Sequence, residues 1–335
     1  MDIEAAGKNQ LFMDPDADKA REFFRHKTRQ MRDKVTTVQK AVEALIKDGD
    51  YIAVGGFGTN RIPAAVLHEI VRQRKKNLGL SGHTATHDMQ ILAAGQCVDR
   101  CDVAYVVGLE ARGLSKVARQ AYETGQIKAV EWSNAALAWR YKAAAMGVPF
   151  LPARVMLGTD TARYSAMKEI TCPYTGIKLA ALPALYPDVG LIHVHRADVY
   201  GNCQIDGIIV SDQDMARAAK KLIITAERLI PHEEIRRQPD RTVIPFYCVD
   251  AVIQVPYGSY PGNMPYEYFS DEEHIREWLE AEKTQKTHQE FMDKYIYHTT
   301  DFNQYLELSG GLKKMPGLRQ LELLNSSKTS EGEAK

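Results

Sequence analysis

Residues 55–58 read Gly-Gly-Phe-Gly and close the run Tyr51-Ile52-Ala53-Val54, which has the apolar, β-branched character of a buried strand. Glycines let a ligand approach bare peptide N–H groups with no Cβ in the way. Pro63 then opens a helical pattern through Ala64, Val66, Leu67, Ile70 and Val71, and the positive end of such a helix would point at the same loop. Strand, glycine loop and helix N-terminus in that order make a site for an anion or a developing oxyanion, with Gly55, Gly56, Phe57 and Gly58 as its binding residues. A dinucleotide fingerprint would need G-x-G-x-x-G and an acidic residue about 20 positions on. Gly56 and Gly58 fit its first two glycines, but Arg61 stands at the third. The next strand candidate, residues 78–80, runs into Ser81-Gly82-His83-Thr84 with no acidic residue to hold a ribose. A nicotinamide enzyme is not expected.

Other polar groups gather near that loop in the sequence pattern. His83 and His87 stand four apart beside Asp88, a spacing that on a helix would turn two imidazoles to one face as for zinc. Because they follow a strand and a glycine, the reading is a substrate-facing loop with no metal. His193 and His195 alternate along a strand and face the same side, as a satisfied interior pair. The five cysteines, Cys97, Cys101, Cys172, Cys203 and Cys248, are odd in number and irregular in spacing, which speaks for reduced thiols rather than a disulfide framework. Cys97 and Cys101 flank a charged turn at Val98-Asp99-Arg100.

The elements that must position these groups follow from periodicity. Thr37 opens a helix whose apolar positions Val38, Ala41, Val42, Leu45 and Ile46 recur at three-to-four spacing. Beyond it, apolar runs at residues 103–107, 150–151, 189–194, 221–225 and 251–255 alternate with helical segments. That alternation predicts an α/β fold, an open and mainly parallel doubly wound sheet flanked by helices. Ligands of such sheets bind outside the carboxyl ends of the strands, where the glycine loop lies. Residues 1–36 form a charge-rich extension, partly disordered or helical, with a helix over residues 20–34. Residues 37–320 form one large domain whose stretch 271–306 is helical and amphipathic, and residues 321–335 are a disordered tail. Lysine plus arginine equals aspartate plus glutamate at 43 each, so no global field selects nucleic acid or an anionic membrane. No run approaches the roughly 18 apolar residues of a membrane span, and no leader opens the chain, so a cytoplasmic protein is expected.

The glycine loop also resembles a known signature. Asp48-Gly49, Ile52-Ala53-Val54, Gly55-Gly56-Phe57 and Pro63 resemble the first motif of the family I CoA-transferases, in their A (alpha) subunits, although a glycine is common where Arg61 stands. The likeness continues through residues 143–152, through Ala181-Leu182-Pro183 and Tyr186-Pro187-Asp188-Val189, and through Arg196-Ala197-Asp198 with Gly201-Asn202. Val249-Asp250-Ala251-Val252 and Pro256-Tyr257-Gly258-Ser259-Tyr260-Pro261 are similar to the last core strand and loop of glutaconate CoA-transferase alpha subunits, where that loop reads Gly-Ala-His-Pro. The likeness covers about residues 37–320.

The resemblance implies that CoA moves between an acyl-CoA and a free carboxylic or dicarboxylic acid through a glutamyl-CoA thioester. It implies coenzyme A as substrate, no tightly bound cofactor, and partnership with a B (beta) subunit in a heterodimer or heterotetramer. The nucleophilic glutamate is then expected on the partner. Glu110, after the run Tyr105-Val106-Val107-Gly108-Leu109, is the glutamate of this chain placed as a nucleophile would be, yet the Ala111-Arg112 that follows departs from the family's Glu-Asn-Gly. Arg61, His83, His87, Ser259 and Tyr260 are the expected substrate-binding groups. The same fold also serves acyl-CoA hydrolase and decarboxylase relatives, and a non-catalytic scaffold partner is the remaining alternative. A ring-cleaving hydrolase relative carries its glutamate at a position that falls on Asn134 here.

Overall fold

The computed structural model describes residues 3–106, 108 and 112–331. In chain order the strands are β1 (Ile3–Ala6), β2 (Tyr51–Val54), β3 (Leu78–Gly82), β4 (Val98–Val103), β5 (Lys128–Glu131), β6 (Phe150–Ala153) and β7 (Lys168–Thr171). They continue with β8 (Lys178–Pro183), β9 (Val189–Ala197), β10 (Cys203–Gln204), β11 (Lys221–Leu229), β12 (Thr242–Ile244) and β13 (Ala251–Gln254). Parallel pairings run β13-β11-β9-β2-β3-β4-β5. At the carboxyl end of β9, β10 pairs antiparallel with it and with β12. Chain order therefore climbs outward from β2 through β5 on one side and from β9 through β13 on the other. The reversal falls between β2 and β9, which is where a doubly wound sheet opens a crevice for ligands.

Side chains alternate across β2 because its period is two. Ile52 and Val54 join a core containing Val66, Leu67, Met89, Trp278, Phe291 and Tyr305. Tyr51 and Ala53 join a second core containing Trp132, Leu137, Tyr141, Met215 and Ile224. The sheet is thus covered on both faces, as the apolar runs predict. On the first face, helix Val38–Leu45 starts where the Thr37 hydroxyl caps the Lys40 N–H. Helix Ala64–Arg72 follows Pro63 directly and is buried from Ala64 through Val71. On the second face, helix Asn134–Met146 is capped by Ser133 and ends at Gly147 with φ 70°, a Schellman-type stop.

A four-stranded antiparallel sheet, β1-β7-β8-β6, stands beside the large one. Its first strand comes from the amino-terminal extension, whose helix spans Ala17–His26 with Asp16 as its cap. Lys27 anchors the extension by donating to Lys220 O, Cys248 O and Asp250 Oδ2 at 2.9, 2.8 and 2.7 Å. At the other terminus the helix Gly311–Glu331 runs across position 321. All five cysteines are free thiols. No helix among the described residues is long and apolar enough to cross a membrane.

One strand lies where sequence reading puts a turn. Val98, Asp99 and Arg100 belong to β4, and residues 104–106 lie beyond it. Charge hid this strand, because its Asp102 is a fully buried carboxylate rather than an apolar residue. Asp102 Oδ1 accepts from Trp132 Nε1 at 2.6 Å and Arg140 Nη1 at 2.9 Å, while Oδ2 accepts the Tyr51 hydroxyl. The Arg140 guanidinium also lies 4.2 Å from the Trp132 ring centroid and donates to Pro183 O. One ion pair so placed joins β2, β4, β8 and helix Asn134–Met146.

Candidate active site

The glycine loop leaves β2 at the switch point. Gly55 N–H donates to Leu191 O of β9 at 2.8 Å, and Gly56 N–H donates to Asp212 Oδ1 at 3.1 Å. Phe57 and Asn60 exchange backbone hydrogen bonds at 2.9 Å each, and Gly58 N–H reaches Thr84 O at 3.0 Å. A Cβ on Gly56, whose φ is 86°, would stand 2.4 Å from Asn60 O, and one on Gly55 would stand 2.9 Å from Asp212 Oδ1. The glycines are therefore required by close packing. Since all four N–H groups of residues 55–58 are already donated, the loop presents a wall; donors for an oxyanion must come from other groups. The tight turn at residues 57–60 pushes the Phe57 ring outward, 39% exposed.

Arg61 holds this turn from below. Its backbone is left-handed at φ 58°, a conformation that favours glycine. Here the side chain is 1% exposed and forms a 2.7 Å ion pair with Asp212, itself fully buried. Its other Nη donates to Ile208 O at 2.6 Å. Asp212 opens helix Asp212–Ala218, so one carboxylate joins the glycine loop, Arg61 and the 206–211 segment. The guanidinium is committed inside the protein.

The remaining sequence-derived residues divide. His83 comes to the loop: its ring meets Phe57 edge-on at 6.1 Å, and its Nε2 donates to Asn134 O at 3.1 Å. Burial holds the His83 pKa below the ordinary value, so the ring stays neutral. Thr84 Oγ1 donates to Asn134 Oδ1 at 3.0 Å, which places Asn134 at the same corner. His87 does not join it. As the first residue of helix His87–Ala94 it points into the other layer, with Nδ1 on Gln90 Oε1 at 2.8 Å and its ring 4.9 Å from Trp278. Burial lowers its pKa to about 4. No metal-ligating cluster of histidine, cysteine or carboxylate occurs among the described residues. Glu110 lies outside the described residues.

Ser259 and Tyr260 meet the site through backbone only. Their loop docks by Asn263 N–H on Thr59 O at 3.0 Å and Arg61 N–H on Asn263 O at 2.9 Å. The Tyr260 side chain turns away, donating to Asp271 Oδ2 at 2.6 Å and stacking on His274 at 5.6 Å. Ser259 is fully buried, its Oγ on Asn263 O at 3.3 Å.

Below this loop lies a network that sequence reading missed in part. His193 Nε2 faces Glu227 Oε1 at 2.7 Å and its Nδ1 faces Thr225 Oγ1 at 2.8 Å. Glu227 also accepts the Tyr268 hydroxyl and the Tyr257 N–H, both at 2.8 Å. Burial works to raise the Glu227 carboxyl, but the hydrogen bonds from His193, Tyr257 and Tyr268 outweigh it and hold it below the usual carboxylate range. His195 Nδ1 accepts the Asp206 N–H, so Nε2 carries the proton given to Pro265 O. A lone glutamate inside the apolar strand β11 was the available signal for Glu227. For Asp212 it was the acidic start of a helix.

Residues 35–255 match the family described as Coenzyme A transferase. The chain belongs to that family. The A subunit of glutaconate CoA-transferase from Acidaminococcus fermentans is 32% identical over 307 residues, covering 85% of this chain and 96% of that one. The crystal structure of glutaconate coenzyme A-transferase from the same organism superposes with a TM-score of 0.80 at 31% identity, over 85% of this chain and 95% of its own. The A subunit of 3-oxoadipate CoA-transferase from Pseudomonas knackmussii is 34% identical over 273 residues, 80% of this chain and 95% of the relative. An uncharacterized protein of Archaeoglobus fulgidus is 48% identical over 326 residues, 97% of this chain and 73% of that protein. Family, fold and the A-type likeness therefore agree, and the chain is a CoA-transferase subunit of the A type.

Proposed function

We propose that this A-type chain works with a B subunit to move CoA between an acyl-CoA and a free carboxylic or dicarboxylic acid, through a glutamyl-CoA thioester on the partner. The observation that carries the reading is the state of the glycine loop. It stands at the switch point with its amides closed internally and Phe57 turned outward, while the carboxylate packed against it, Asp212, has both oxygens engaged. Among the described residues no free nucleophile packs at the side of this wall, which makes it half of a site. The partner's carboxylate attacks the thioester carbonyl, forming the mixed anhydride and releasing CoA thiolate; the thiolate attacks the glutamyl carbonyl and expels the first acid, leaving the glutamyl thioester. The second acid attacks that thioester, forms a new anhydride and releases CoA thiolate, which then takes the new acyl group and frees the glutamate.

In this reading Gly55, Gly56, Phe57 and Gly58 line the acyl pocket and His83 fixes its rim, while Arg61 and Asp212 position the loop. Ser259 shapes the floor through its loop, and neither His87 nor Tyr260 reaches the acid directly. Asn134 at this corner, in place of a hydrolase glutamate, favours transfer over hydrolysis.

The test is co-production with the cognate B subunit, followed by an assay of CoA exchange over a panel of mono- and dicarboxylic acids. Exchange, with hydroxylamine or borohydride trapping a modified glutamate on the partner, is the expected result. An absence of exchange across the panel sinks the reading, and trapping at Glu110 would reassign the nucleophile to this chain.

A further inference from the structure

At the amino ends of β3, β4 and β5, on the side of the sheet opposite the glycine loop, a cavity of about 680 Å³ opens against the helix Gln285–Met292. That volume lies in the range of about 300–1,000 Å³ usual for small-ligand sites. Its wall carries Arg74, Lys76, Lys116 and Lys283 against one carboxylate, Glu282, in a chain whose basic and acidic residues balance at 43 each. The one acid is consumed internally: Glu282 is buried and accepts from Gln90 Nε2, Ser115 Oγ and Val117 N–H at 2.6, 3.0 and 3.3 Å.

Lys76 donates to Gly95 O and Gln96 O at 3.3 and 3.2 Å, but the other three cations are not consumed in the same way. The Arg74 guanidinium lies over the Tyr297 ring, 4.7 Å from its centroid, and finds no hydrogen-bond acceptor among the described residues, and the Lys116 ammonium likewise has none. Among the described residues Lys283 pairs only with Glu280, and both side chains are more than half exposed, so water screens that pair and leaves it weak. Two wall positions also hold long polar side chains where glycine would be less strained. Arg74 and Gln96 take left-handed angles, φ 54° and 52°, just past the ends of helices Ala64–Arg72 and His87–Ala94.

We propose that this cavity binds a phosphate-bearing anion of nucleotide size, with its phosphates held among Arg74, Lys116 and Lys283. A planar guanidinium fork and two mobile ammonium groups suit clustered phosphate oxygens. The site is separate from CoA transfer and does not depend on that assignment.

Isothermal titration of the full-length chain with ATP and with inorganic pyrophosphate tests it. Saturable one-to-one binding below about 1 mM is expected, weakening as salt is raised, and at least about tenfold weaker in the Arg74→Glu/Lys116→Glu variant with its melting temperature unchanged. Equal affinity for both probes assigns the binding to phosphate, and preference for ATP adds a contact from the nucleoside; either supports the site. If the double variant does not fold, Lys116→Ala with Lys283→Ala is read in its place. No saturable binding of either probe up to about 10 mM, or binding unaltered in the charge variants, overturns the proposal.

Discussion

Two buried arginine–aspartate pairs cross this molecule, at 2.7 Å between Arg61 and Asp212 and at 2.9 Å between Arg140 and Asp102. Both are withdrawn from water to within 1% exposure, and both join segments far apart in sequence. Their surroundings differ. Asp102 sits inside strand β4, one residue before its end, with Tyr51, Trp132 and Arg140 as donors, all on or beside regular elements of one core. Asp212 sits at the carboxyl end of the sheet, where its donors are Gly56 of the loop and Arg61 just after it. The same chemistry therefore holds regular structure in one place and, on the proposed function, the wall of the acyl site in the other. A pair inside regular structure can be lost as stability alone, whereas a pair under a loop also sets where that loop stands.

This contrast can be broken by experiment. Asp102→Ala leaves a buried Nη1 of Arg140 and the Trp132 indole N–H without their acceptor, the Tyr51 hydroxyl keeping Leu80 O, and is expected to cost about 3–5 kcal/mol in urea unfolding while the folded fraction keeps its turnover. Asp212→Ala should reduce kcat/KM of the assembled enzyme by about 100-fold through displacement of the glycine loop, beyond any loss of folded protein. Unchanged activity per folded molecule in that variant would make the two pairs equivalent. Gly56→Ala forces a Cβ into Asn60 O at a left-handed residue, so a loss of about 1–2 kcal/mol together with reduced turnover is expected, where the same substitution at the open Gly125 should leave turnover intact. Tyr260→Phe removes one buried hydrogen bond to Asp271 and should lower stability by about 1 kcal/mol with the KM for the acid unchanged. A raised KM there would bring Tyr260 back to the substrate.

The site was legible in proportion to how local its signals are. Gly55, Gly56, Gly58 and Pro63 announce a turn between a strand and a helix because backbone angles are set by neighbours in sequence. His83 follows the next strand at the same end of the sheet, so it arrives at the same corner. His87 does not, because one helical turn carries it from the loop into the aromatic layer beside Trp278. Arg61 read as a substrate cation since charge in a glycine loop suggests an anion. Its partner Asp212 is 151 residues away, a distance no spacing rule spans. Strand β4 was hidden for a related reason, as Asp102 is tolerated inside a buried strand only because three donors from other segments satisfy it.

Order of apolar runs and helical periodicity determined that this chain is a doubly wound α/β protein, and the glycine motif determined which family it joins. Both follow from interactions within a few residues and from the need to cover two faces of one sheet. The tertiary structure alone decided that the strand order reverses between β2 and β9, that the loop amides are closed, and that Arg61 serves Asp212. Those outcomes depend on which distant donors and acceptors meet once water is excluded, because a buried charge or N–H must find whatever partner the packed chain brings within reach.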